Sequence, residues 1–132
     1  MNKCPRFMIA APSSGSGKTM LTCGLMRLLQ KKGYEVQGFK CGPDYIDPMF
    51  HTKVLGIPSV NLDSFFAEDE VLRYLFGRRM QQRYSEMSIA VLEGVMGYYD
   101  GLAGRSIKGS TCDIAKITDT PVILCIDTKG MS

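Results

Sequence analysis

An α/β fold, with a mostly parallel sheet flanked by helices, is what this sequence predicts, and three observations predict it. Short apolar runs of strand length, at 7–11, 89–92 and 121–126, alternate with longer stretches whose apolar residues recur every three or four positions. The first run leads into Pro12-Ser13-Ser14-Gly15-Ser16-Gly17-Lys18-Thr19, and a helical pattern leads out. Strand, small-residue loop, Gly-Lys-Thr and helix, in that order, is the architecture of a phosphate-binding P-loop, so the sheet is expected to be of the P-loop NTPase type.

The glycines let the backbone curl until successive N–H groups point at one anion, and the helix N-terminus adds unpaired donors and partial positive charge. Ser14, Gly15, Ser16, Gly17, Lys18 and Thr19 are therefore the expected nucleotide-binding residues. Lys18 would reach the β- and γ-phosphates and the Thr19 hydroxyl would sit on Mg²⁺. Pro12 stands where the common pattern has its first glycine; having no N–H, it gives the loop a different start. A Gly/Ser turn before an ordinary helix is the plain alternative, and the flanking strand and helix argue against it.

The first helix runs from Lys18 to Lys32, with Met20, Leu21, Gly24, Leu25, Leu28 and Leu29 as its apolar positions and Gly33 as its stop. A second strand, Glu35–Lys40, completes a βαβ unit. Cys41 to His51 holds two prolines, a glycine and two aspartates, a composition against regular helix or strand. It follows a strand end that should lie near the P-loop, so Asp44 and Asp47 either face a ligand or form turns. His51, the sole histidine, reads as a solvated loop residue, and the loop continues through Gly56 and Pro58 to Asn61-Leu62-Asp63.

A second helix is expected from Glu68 to Arg83, with Val71, Leu72, Leu75 and Phe76 on one face and charges that suit its dipole. The third strand, Ile89–Leu92, ends at Glu93, as a Walker B strand ends in an acid that can hold Mg²⁺ directly or through water. Gly94, Gly97, Gly101 and Gly104 follow, with Asp100 in a loop that can face the same site. Ser110 or Thr111 should cap a short helix to Thr118. Pro121–Ile126, apolar throughout, reads as a fourth strand buried on both faces. The expectation is an N-terminal part of a longer protein, incomplete at the C-terminal side of its nucleotide domain, with no adenine-reading segment in view.

Composition agrees with one soluble domain: 132 residues, 45% hydrophobic and 22% charged. A net charge of +3 is too mild and too evenly spread for a nucleic-acid partner, and Arg78, Arg79 and Arg83 read as an exposed helix face. Cysteines 4, 23, 41, 112 and 125 are odd in number with no C-x-x-C, against both a disulfide framework and a zinc site. Cys23 and Cys125 read as buried thiols of a protein in a reducing, cytoplasmic compartment. Neither a signal peptide nor a membrane-spanning run is visible.

Five segments in order carry a resemblance to a known family: residues 10–19, Phe39-Lys40-Cys41-Gly42-Pro43-Asp44-Tyr45-Ile46-Asp47-Pro48, Asn61-Leu62-Asp63, Glu93-Gly94-Val95-Met96-Gly97-Tyr98-Tyr99-Asp100-Gly101, and Gly109-Ser110-Thr111. Together they resemble the N-terminal domain of the cobyrinate a,c-diamide synthases of cobalamin biosynthesis, Pro12 included. The resemblance covers essentially the whole chain, and GPDYIDP and EGVMG-x-x-DG are far more specific than the P-loop.

The resemblance implies an ATP-dependent ligase that amidates two peripheral carboxylates of a corrin, with an acyl phosphate as intermediate and glutamine as the source of ammonia. It implies phosphate binding by Gly15 through Thr19 and a second charge near the γ-phosphate from Lys40. Thr19 and Glu93, with Asp63 or Asp44, would serve Mg²⁺. Asp44, Tyr45, Ile46, Asp47 and Asp100 would line the meeting place of substrate carboxylate and ATP. The glutamine amidotransferase domain of that family has no counterpart in these 132 residues, and none of the five cysteines is its nucleophile. A synthase acting on a nickel or metal-free tetrapyrrole is the near rival, and a homodimer is left open. Dethiobiotin synthetase is disfavoured by GPDYIDP. A partition-type ATPase switch is disfavoured because Ser13 stands where such switches resemble one another in a signature lysine.

Overall fold

The computed structural model describes residues 4–13, 17–42, 46–64, 67–82, 85–95, 97–101, 106 and 108–129, with backbone alone for 46–50. Five strands, β1 (Arg6–Ala10), β2 (Glu35–Cys41), β3 (Ser59–Leu62), β4 (Ser88–Glu93) and β5 (Val122–Leu124), form one sheet in the order β3-β2-β4-β1-β5. Every strand pair is parallel, so all the carboxyl ends lie along one edge. Four helices make the crossovers: α1 (Lys18–Lys31), α2 (Ile46–Leu55), α3 (Asp69–Gln82) and α4 (Thr111–Ile117). From β1 the chain passes over β4 to β2, and from β4 it passes over β1 to β5. The strand order thus reverses between β1 and β4, where open α/β sheets bind ligands.

Side chains alternate across the strands and build a core on each face. Met8, Phe39, Ala90 and Leu92 meet Leu72, Phe76 and Met80 of α3 and Ile114, Ala115 and Ile117 of α4. Val36 and Val91 face Met26 of α1 and Ile57, with Phe7, Leu29, Leu55 and Ile89 around them. Phe39 and Phe76 stack with ring centroids 4.9 Å apart, and both are wholly buried.

Several expectations are corrected. The segment read as irregular, Cys41 to His51, contains the start of α2. Pro48 is compatible with that helix because it lies in the first turn, whose N–H groups have no intrahelical acceptor. The sheet has five strands rather than four: β3 is short and alternates Ser59, Val60, Asn61 and Leu62, the pattern of a half-covered edge strand. At the opposite edge β5 spans three residues, and Ile123 and Leu124 are nearly half exposed rather than buried on both faces.

The covered helix faces are also rotated from those expected. Thr22 and Met26 are buried in α1 while Met20 is 83% exposed; Leu72, Phe76 and Met80 are buried in α3 while Val71 and Leu75 are not. In α3 Leu72, Phe76 and Met80 recur at four-residue steps, with Gly77 buried beside Phe76, a stripe that a looser apolar pattern hides. Cys23 and Cys125 are half-buried, whereas Cys41 and Cys112 are buried. Ser110, not Thr111, caps α4: its Oγ accepts from the Asp113 N–H at 3.1 Å, and the Asp113 carboxylate accepts from the Gly109 N–H at 3.0 Å.

Phe76 joins α3 to the sheet through Phe39 and lies 5.6 Å from the Arg6 guanidinium. Phe76→Ala is expected to destabilise the protein by about 3–5 kcal/mol, measured by urea denaturation.

Candidate functional site

Backbone, not side chains, fixes the start of the P-loop. Three consecutive carbonyls at the end of β1 are each taken by an amide from another segment. Ile9 O accepts from Gly94 N at 2.8 Å, Ala10 O from Cys125 N at 2.7 Å, and Ala11 O from Tyr98 N at 2.7 Å. Gly17 then N-caps α1 at φ +78°, in the left-handed region that favours glycine. Lys18 and Thr19 are the first two residues of the helix, Lys18 half-buried and Thr19 exposed. Ser14, Gly15 and Ser16 lie outside the described residues.

The segment after β4 packs directly on this loop. A Cβ at Gly97 would lie 2.5 Å from the Pro12 carbonyl oxygen and 2.6 Å from Asp100 Oδ2; one at Gly94 would lie 2.5 Å from Thr111 Cγ2. Both glycines permit close approach. The Thr111 hydroxyl binds the backbone of Val95, accepting from its N–H and donating to its carbonyl, each at 3.1 Å. Asp100 is exposed, and its carboxylate accepts from the Gly97 N–H at 2.9 Å, closing the turn that lies against Pro12.

Beside the loop, one register row crosses the sheet: Asn61 of β3 opposite Lys40 of β2, Lys40 opposite Glu93 of β4, and Glu93 opposite Ile9 of β1. Because Ile89 and Val91 face α1 and α2, the two-residue period places Glu93 on that face as well. Lys40 Nζ lies 3.3 Å from Glu93 Oε2, and both side chains are essentially without solvent exposure. Lys40 also donates to the Gly94 carbonyl at 3.2 Å, tying the charge pair to the backbone that holds β1. Asn61 donates to the Gly42 carbonyl at 2.9 Å and so shapes the chain as it leaves β2.

His51, read from sequence as solvated, is completely buried on α2. Its Nε2 lies 3.6 Å from Glu93 Oε2, and its Nδ1 lies 3.2 Å from Ser59 Oγ. With α2 unforeseen, nothing in the local composition could aim this ring at Glu93. The two-residue period of β4 did carry a signal, since it turns Glu93 toward a covered face that needs a polar partner.

Lys18, Thr19, Lys40, Asp63, Glu93 and Asp100 thus all belong to the carboxyl edge of the sheet or the loops leaving it, with Asp63 just past β3. Asp44 and Tyr45 lie outside the described residues, and Ile46 and Asp47 are described only as the first backbone residues of α2. Thr19, Asp63 and Glu93 offer the hard oxygen donors that Mg²⁺ takes. Among the described residues no three His, Cys, Asp or Glu side chains converge on one metal position. Such a donor set would suit an ion that takes one or two protein ligands and shares phosphate oxygens.

A parallel sheet with a P-loop helix at its switch point and a buried Lys–Glu pair beside it defines a nucleotide-binding α/β domain. The chain belongs to the family CbiA, the CobQ/CobB/MinD/ParA nucleotide binding domain, which it matches over residues 7–123. It is 50% identical over its whole length to a cobyrinate a,c-diamide synthase from Listeria innocua, covering 28% of that protein. It is 46% identical over 96% of its length to one from Methanocaldococcus jannaschii, again covering 28%. A hydrogenobyrinate a,c-diamide synthase from Agrobacterium fabrum is 41% identical over 96% of the chain, which spans 28% of its length. No helix among the described residues is long and apolar enough to cross a membrane.

Two measurements test this geometry. Gly97→Ala must displace either the Pro12 carbonyl or the Asp100 turn, at about 1–3 kcal/mol. It should lower stability to urea and weaken ATP binding by calorimetry; wild-type values for both would show that the contact is not tight. Burial pushes the Cys41 thiol up from 9.0 to about 12, with Lys40 pulling the other way. Cys41 should therefore resist iodoacetamide at pH 8 in the folded protein and react once urea unfolds it, read by mass spectrometry. Because the unfolded thiol ionises first, stability from this group is full below pH 9 and is lost as pH rises toward about 12.

Proposed function

We propose that the full protein carrying this chain is an ATP-dependent amide-forming ligase. It converts the a- and c-side-chain carboxylates of cobyrinate to amides in cobalamin biosynthesis, with glutamine as the source of ammonia. The observation that carries this reading is the 46–50% identity, over 96–100% of the chain, to relatives that bear that enzyme's name in a bacterium and an archaeon. A metal-free corrin is the second reading, favoured by the 41% identity to the hydrogenobyrinate enzyme.

The chemistry suits the parts present. A carboxylate is a poor acyl donor, and ATP with Mg²⁺ supplies the activation. A substrate carboxylate oxygen attacks the γ-phosphorus, the bond to the bridging oxygen breaks, and ADP leaves. Ammonia then adds through its lone pair to the acyl carbon, phosphate departs with the C–O bond electrons, and a proton is released. The protein's contribution is position and charge. Gly15 through Thr19 would hold the phosphates, with Lys18 on the β- and γ-oxygens. Thr19 and Glu93, with Asp63, would serve Mg²⁺. Lys40, already at the end of β2 beside Glu93, would offset charge growing on the γ-phosphoryl group. Asp44, Tyr45, Ile46, Asp47 and Asp100 would meet the substrate. The chain spans 28% of the relatives' length, and the ammonia-releasing activity is assigned to the remainder of a protein of that size.

The test is to incubate the full-length protein with cobyrinate, ATP, Mg²⁺ and glutamine and follow product mass. The a,c-diamide is expected, and Lys18→Ala should abolish its formation. Amidation that persists in Lys18→Ala would remove the P-loop from the mechanism. ATP hydrolysis stimulated by DNA or membranes, without amidation, would overturn the reading.

A further inference from the structure

His51 is a fully buried polar side chain beside Glu93 to which the chemistry above gives no task. Bonds to the neighbouring stretch of chain set its place on α2, and Ser59 and Glu93 meet its ring. The His51 carbonyl accepts from the Ile57 N–H at 3.0 Å, and the Thr52 hydroxyl donates to the Ile57 carbonyl at 3.2 Å, tying the end of α2 to the run into β3. Ser59 Oγ, 3.2 Å from Nδ1, sits over Gly38, where a Cβ would come within 2.8 Å of it. A neutral imidazole carries one N–H, and the arrangement that serves both neighbours puts it on Nε2 toward Glu93, with Ser59 donating to Nδ1. Lys40 Nζ and His51 Nε2 then approach the same carboxylate oxygen, Glu93 Oε2, at 3.3 and 3.6 Å.

We propose that His51 is a positioning residue: from α2 it fixes the Glu93 carboxylate against Lys40, and so sets the geometry with which Glu93 serves the Mg²⁺-nucleotide. The proposal rests on the reading in which Glu93 has that task. Outer partners of this kind, which orient a metal-serving group without touching the metal, are worth about ten- to a hundred-fold in metal affinity or activity.

The experiment compares His51→Gln, which keeps an N–H near the Nε2 position, with His51→Met, which fills similar space without a donor. In the full-length protein, His51→Met should lower kcat about ten- to a hundred-fold and raise the Mg²⁺ concentration for half-maximal rate. The KM for cobyrinate should stay unchanged, and His51→Gln should recover most of the loss. Equal loss in both variants, or wild-type kcat and Mg²⁺ dependence in His51→Met, would overturn the proposal and leave His51 a core residue. Should His51→Met not fold, Ser59→Ala removes only the Nδ1 partner; a smaller rise in Mg²⁺ requirement is expected, and none would overturn it. Calorimetry separates this proposal from the amidation reading. His51→Met should weaken ATP binding in Mg²⁺ but not in EDTA, whether or not the wild type amidates cobyrinate, and equal ATP affinity to wild type in Mg²⁺ would overturn it.

Discussion

Lys40 and Glu93 lie on adjacent strands with almost no contact with water, 3.3 Å apart. Removing each ion from water costs on the order of several kcal/mol, and mutual attraction offsets this only where geometry is good and further hydrogen bonds are present. Lys40 has one such bond, donated to the Gly94 carbonyl, and His51 Nε2 lies 3.6 Å from the same Glu93 oxygen that Lys40 approaches. An apolar pair of similar size would often fold as well or better, so the pair is explained more readily by chemistry than by folding. Its place agrees with that. The row Ile89, Val91, Glu93 runs apolar until the carboxyl end of β4 and turns ionic only where the sheet meets the ligand side.

The loops around this pair are arranged by close backbone approach. Gly94 donates to the Ile9 carbonyl, while its α-carbon lies against Thr111 and its carbonyl receives Lys40. One residue therefore ties β1, β4, α4 and the charge pair together, and it can do so because no side chain intervenes. Gly97 plays the same part between Pro12 and Asp100. The glycine-rich stretch after Glu93 is compatible with either mobility or tight packing, and at positions 94 and 97 the structure shows tight packing.

The fold class was legible because the chain states it redundantly: apolar runs of strand length, a βαβ unit and a P-loop agree. Helices 18–31, 69–82 and 111–117 fall within a residue or two of expectation because capping residues and charged ends mark them. The stretch 46–62 was illegible for a physical reason. Its helix carries a proline that only the first turn tolerates, and its strand is a four-residue edge strand with polar alternation. His51 was misread as a consequence, since a side chain cannot be aimed without the helix that carries it. The meeting of Lys40 and Glu93 depends on β2 lying beside β4 rather than β1, which strand order alone decides. Asp100, expected at the substrate site, also accepts a hydrogen bond within the turn it helps to close.

The overlooked helix changes how the site hangs together. It leaves the carboxyl end of β2 a few residues after Lys40, and its backbone passes from Asp47 to His51 in little more than one turn, at 1.5 Å per residue. One short element thus carries both Ile46 and Asp47, two of the residues proposed to meet the substrate carboxylate, and the ring proposed to hold Glu93. A displacement of α2 could not alter one without altering the other. In the proposed reaction, position of the carboxylate relative to the γ-phosphorus is most of what the protein supplies, and such a coupling would set the substrate side and the Mg²⁺ side of the phosphate in a single packing event.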